Sequence, residues 1–225
     1  IDLGFGIALA AVMTREIVAG QNWRNLMIVG IFLIFVTANG IFHVEAARVD
    51  YAASGLGLRL GVAAALMLIA LIGGRIVPSF TRNWLVKREA ARLPVPPMQR
   101  LDKVALLALA VSLALWVLVP FSGVTAIALT FAGVIHAIRL WRWCGLSTRA
   151  EPLIWVLYVA YAFIPLGALA EALAIWQPGL IGGVSALHLW MAGAIGLMTL
   201  GVMSRATLGH TGHALVAGPA TMALI

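Results

Sequence analysis

Long apolar runs separated by short polar stretches cover almost the whole chain. Read as helices, they fall at residues 3–13, 25–47, 56–77, 103–119, 122–140, 153–175 and 184–204, and an eighth run begins near His213. The better-defined runs are about 17 to 23 residues long, the length that crosses a hydrocarbon core of roughly 30 Å at about 1.5 Å per residue. The predicted fold is an all-α, polytopic transmembrane helix bundle. The first run is short, the chain begins at Ile1 rather than Met, and the last run breaks off at Ile225, so the pattern reads as a bundle incomplete at both ends.

Threading the runs in order places alternate connectors on opposite sides of the membrane. Thirteen of the fifteen Lys and Arg fall in or beside one set of connectors, and only Arg48 and Arg59 in the other. Cytoplasmic loops carry such an excess, so the segments around Arg82, Arg142 and Arg205 face the cytoplasm and those around Asp50, Pro120 and Trp176 face outward. The longest connector, 78–102, holds Pro94, Pro96, Pro97 and most of the positive charge. It is predicted to be a basic cytoplasmic linker that touches anionic lipid headgroups. It is too short to fold alone, so residues 1–225 read as one transmembrane domain.

Composition narrows the function. With 63% hydrophobic and 10% charged residues and a mean hydropathy of +1.04, the chain is not a compact soluble enzyme. The single cysteine, Cys144, has no partner for a disulfide framework. The net charge of +7 follows from topology, and no basic face interleaved with aromatics is present, so no nucleic-acid partner is expected. Phosphate-binding glycine loops, zinc-protease signatures and a serine triad are absent from the sequence, which argues against hydrolytic and nucleotide-driven activities. Trp116, Trp141, Trp143, Trp155, Trp176 and Trp190 lie toward span ends and read as an interfacial belt.

Ionisable groups inside an apolar bundle are costly unless paired or liganded, which turns attention to the five histidines. His43, near the outward end of one span, and His188, near the outward start of another, share a depth from which imidazoles can hold a haem iron or another metal. Asn39, one turn before His43, is placed to orient it. Glu45 is expected to pair with Arg48, and Glu171 approaches the same outer zone. On the inner side, His136, His210 and His213 are candidate metal ligands, the last two with helical spacing for a shared ion such as copper. Arg75 and Arg205, at inner helix ends, are candidates to hold an anionic group such as a haem propionate, with snorkelling as the alternative. No catalytic residue is assigned.

The stretch HLWMAGAIGLMTLGVMSRATLGHTGH at 188–213 resembles the signature region of the NnrS family of bacterial membrane proteins. Supporting segments are NGIFH at 39–43, GGRIVPSFTRN at 73–83 and RLWRWCG at 139–145 with PLIW at 152–155, so the likeness runs over nearly the whole chain. The resemblance implies an inner-membrane protein of about a dozen spans, containing haem and copper and linked to denitrification or to protection from nitric oxide stress. This chain would be its central and later part. The resemblance places histidine-bearing motifs at His43, His136, His188 and His210 and assigns no ligand role to any one of them. Turnover, sensing and buffering of nitric oxide all stay open. So do a small-ligand or metal-complex transporter and a non-catalytic membrane scaffold.

Overall fold

The computed structural model describes residues 2–48, 52–212 and 217–218. The described residues form seven long helices and no strand. These are α1 (Asp2–Ala19), α2 (Leu26–Ala47), α3 (Leu56–Val86), α4 (Arg100–Leu118), α5 (Gly123–Trp141), α6 (Pro152–Trp176) and α7 (Gly183–His210). The six from α2 onward are long and apolar enough to cross a bilayer. Helix α1 carries Asp2, Arg15 and Glu16 and is not among them. The eighth run expected near His213 lies outside the described residues.

Two helices outrun the apolar pattern. Helix α1 continues past residue 13, with the Thr14 hydroxyl donating to the Ala10 carbonyl within its own helix. Helix α3 does not stop at Pro78 but passes through it to Val86. A proline removes one helical hydrogen bond, yet Pro78 is buried, and the hydroxyls of Ser79 and Thr81 donate to the carbonyls of Arg75 and Val77 beside it. The basic connector is therefore 87–99 rather than 78–102. Its far end is set by a capping box, in which Gln99 and Asp102 exchange side-chain and backbone bonds at the start of α4.

Helix α6 occupies the middle. It is apolar on every side, the pattern of a helix surrounded by others, and 67% of its apolar window is buried. Helices α5 and α3 flank it, α4 closes the group by packing on α3 and α5, and α7 lies against α6 and α3. Helix α2 packs on α3 and α1 on α2, forming an outer wing. The windows of α2 and α7 are only 17% and 28% buried. Within α7, Leu189–Leu197 is wound as a π-helix between α-helical Gly183–His188 and Met198–His210. This arrangement turns Trp190 wholly inward, where its indole N–H donates to the Ile164 carbonyl at 3.1 Å.

The aromatic belt needs correction at three positions. Trp141 and Trp176 are exposed as expected, but Trp116, Trp143 and Trp190 are core residues. The Trp116 ring meets Trp190 edge-on at 5.2 Å, and Trp143 meets Tyr161 at 4.6 Å. Glu45 also departs from expectation. Its two carboxylate oxygens accept from the backbone N–H groups of Leu56 and Gly57 at 2.8 and 3.1 Å, so it caps α3 instead of serving Arg48. The free N–H groups and positive dipole end of a helix draw a carboxylate within reach. A side chain at Gly57 would run into the Phe42 backbone, so α2 and α3 meet there without a spacer.

The excess of basic residues predicts the α5–α6 loop inside and the α6–α7 loop outside. In intact spheroplasts, a membrane-impermeant maleimide is expected to leave Cys144 unlabelled and to label a Gln177→Cys, Cys144→Ser variant. Reversed labelling would invert the topology.

Candidate functional site

The outer histidines sit on the two least covered of the six spans, α2 and α7. His43 is exposed near the end of α2, and its Nε2 lies 2.8 Å from Asp2 Oδ2 at the start of α1. The carboxylate accepts from the Nε2 N–H, which in the neutral ring leaves Nδ1 as the lone-pair nitrogen. Asn39, one turn below, bonds to the same carboxyl, so it positions Asp2 and through it the imidazole. His188 is exposed in the second turn of α7, and its Nδ1 donates to the Val184 carbonyl at 2.7 Å, which leaves Nε2 as its lone-pair nitrogen. One ring nitrogen tied to a carboxylate or a carbonyl, the other free, is the usual setting of a metal-bound histidine, because the tied proton fixes the tautomer and raises ligand basicity. Helix α3 packs against α2 and against the Leu189–Leu197 part of α7, while the Gly183–His188 turn that carries His188 packs on α6, so no contact among the described residues brings the two histidines together.

A second outer group lies inside the bundle. Glu171 on α6 is nearly buried, and its Oε1 accepts from the Trp116 indole at 2.8 Å. Its Oε2 has no hydrogen-bond partner. Trp116 in turn packs on Trp190, so this carboxyl joins α4, α6 and the π-helical turn of α7.

At the inner end the structure shows a group that the sequence reading missed. Arg139 is completely buried, and its Nε donates to Asp102 Oδ1 at 2.7 Å. Its Nη1 donates to the Ala70 carbonyl and to the Tyr161 hydroxyl, at 3.1 and 2.6 Å. With that hydroxyl already accepting, its own proton goes to His136 Nδ1 at 3.0 Å, and His136 Nε2 donates to the Ala105 carbonyl at 3.0 Å. Helices α3, α4, α5 and α6 are thereby tied together through one guanidinium. Both ring nitrogens of His136 are spent on protein groups, which replaces the metal role expected for it. The sequence counted Arg139 among the loop charges and Asp102 at a connector edge. The available signal was an acid in the first turn of one span and an arginine in the last turn of the next, on the same side of the membrane.

The remaining candidates stand apart from one another. His210 is exposed in the last turn of α7, and its expected companion His213 lies outside the described residues. The Arg205 guanidinium lies 4.3 Å from the centre of the Phe80 ring, a cation–π contact between α7 and α3. Arg75 instead reaches toward Asn25 Oδ1 at 3.4 Å. Among the described residues no group of three His, Cys, Asp or Glu side chains is placed to hold a metal ion.

A Cβ at Gly74 would collide with the Arg139 guanidinium, so α3 can approach the buried ion pair only at a residue without a side chain. Gly74→Ala is expected to lower stability by about 1–3 kcal/mol through overpacking. Gly30→Ala, where the added carbon meets open space, is expected to be neutral or to stabilise by up to about 1 kcal/mol. Unfolding of the two variants in detergent checks this, and equal effects would contradict the packing described.

Neither a curated protein nor a solved structure matches the chain. The family whose model is described as NnrS protein does match, over residues 1–225. That span takes in the outward histidines, the glycine approach to Arg139 and the whole of α7, and the chain belongs to the NnrS family.

Proposed function

We propose that the protein is a haem- and copper-associated protein of the bacterial inner membrane that acts in the nitric oxide response or in denitrification. The observation that carries this reading is the state of the outer histidines. His43 and His188 are both exposed, both have one ring nitrogen fixed by a protein oxygen, and both keep the other free for a metal. Membership of the NnrS family supports the same assignment.

His43 and His188 would be the residues to hold a haem, each through its free ring nitrogen. When bound, the haem would supply one-electron chemistry, and a diatomic ligand would need one of the two imidazoles to be displaced or absent. The chain's own part is to orient the two imidazoles. Asp2 fixes the His43 ring with help from Asn39, and the Val184 carbonyl fixes that of His188. Arg75 and Arg205 stand at the other end of the bundle, against Asn25 and Phe80, so the propionate role expected for them does not serve a haem held at His43 and His188. The copper part of the reading rests on His210 and His213 together with the family. The described residues do not form a three-ligand set.

Oxidised and reduced optical spectra of the purified full chain, with iron and copper analysis, test the reading. His43→Ala and His188→Ala are each expected to shift the haem bands and to lower bound iron at least several-fold, while Gly30→Ala leaves both unchanged. Asp2→Asn is expected to weaken haem retention roughly 10–100-fold, as loss of a group that orients a metal-bound histidine does. A folded, haem-supplemented protein with no haem spectrum would overturn the assignment.

A further inference from the structure

At the inner end of the bundle, on the side away from the outer histidines, a cavity of about 660 Å³ opens between the α1–α2 turn, α3, the basic connector and the start of α4. Arg24, Arg75 and Lys103 line it, together with Asn22, Asn25 and Ser79. No carboxylate is among the lining residues, and none of the three cations forms an ion pair with an acid among the described residues. The contrast with Arg139 is direct, since that cation is neutralised by Asp102 at 2.7 Å.

Three like charges sharing one concavity repel each other, and low-dielectric walls focus their field on whatever enters. Lining donors point the same way. Among the described residues the Arg75 side chain bonds only to Asn25 Oδ1, at a long 3.4 Å, which leaves most of its five N–H groups and the Asn25 amide N–H₂ without a partner there. The Ser79 hydroxyl gives its proton to the Arg75 carbonyl, which fixes the backbone under the arginine. Guanidinium groups, an ammonium and a primary amide arriving from three chain segments suit a tetrahedral oxyanion better than a planar one. The cavity lies at the depth of the cytoplasmic headgroups, as the excess of basic residues on that side requires.

We propose that this cavity is a binding site for a phosphate group, and that Arg24, Arg75 and Lys103 are its charged contacts. The phosphate of a phospholipid headgroup and free inorganic phosphate share this chemistry. The site does not depend on the haem assignment, because none of its residues touches His43 or His188. It also gives Arg75 a different role from the propionate contact considered above.

The test uses the full chain in neutral detergent, without added haem. Native mass spectrometry would compare retention of phosphatidylglycerol with that of phosphatidylcholine of the same acyl chains, and thermal unfolding would be followed with added inorganic phosphate. An Arg24→Gln, Arg75→Gln, Lys103→Gln variant is expected to lose the phosphatidylglycerol preference by about tenfold, whereas an Arg88→Gln, Arg142→Gln variant, with the charges removed from the same side outside the cavity, keeps it. Restoring charge with Arg75→Lys in place of Arg75→Gln is expected to recover part of the effect, which separates charge loss from misfolding. Loss of phosphate stabilisation in the triple variant without a lipid effect would assign the site to the soluble ion. Unchanged lipid retention and unchanged phosphate response in the triple variant, or an equal loss in the control variant, would overturn the proposal.

Discussion

The ion pair between Arg139 and Asp102 is the constraint around which the bundle is arranged. Taking two charges out of water costs several kcal/mol each even after relaxation, and the cost is offset only when the geometry is good and the remaining donors and acceptors are used. The four helices α3 to α6 meet this demand. Asp102 spends one oxygen on Arg139 and the other on the Gln99 N–H, so a single carboxylate both starts α4 and neutralises the end of α5. Helix α3 contributes a carbonyl at Ala70 and clearance at Gly74, and α6 contributes the Tyr161 hydroxyl. One guanidinium nitrogen, Nη2, has no partner, which makes the arrangement costly to perturb and specific to one register.

This division of the molecule separates packing from ligand chemistry. The polar capacity at the centre is absorbed by the protein itself, as His136 shows with both nitrogens engaged. Apart from Glu171 Oε2, which is buried without a partner, the candidate groups with free lone pairs or unneutralised charge lie at the periphery: His43 on α2, His188 on α7 and the three cations of the inner cavity. Of the six spans α2 and α7 are the least covered, so the two histidines ride on the spans that the core leaves accessible. The π-helical turn joins the two regimes, because it carries Trp190 into the core directly after His188 on the outer face.

Much of this was legible in the sequence, and the failures have physical causes. The six spans from α2 onward and their order follow from apolar run length, because the bilayer imposes it, whereas the first run forms α1, which is not among the spans. The end of α3 was misplaced because Pro78 reads as a breaker, whereas burial and two back-bonding hydroxyls carry the helix through it. The outer histidines were singled out from depth alone; the Val184 carbonyl that holds His188 is one helical turn before it, but the carboxylate that holds His43 comes from Asp2 on another helix, which no spacing rule singles out. The hub was missed because Asp102 and Arg139 are far apart in sequence and each has an ordinary explanation as a charge at a helix end. Only packing brings them together, and the same holds for Trp116 and Glu171.

A double-mutant cycle on Asp102→Leu and Arg139→Met, read as unfolding free energy of the full chain, tests the central role of the pair most directly. Each single change is predicted to cost about 3–5 kcal/mol, because it strands the other charge, and the double change is predicted to recover a large share of that loss. Additive single losses, or single changes that cost no more than a surface ion pair, would contradict it.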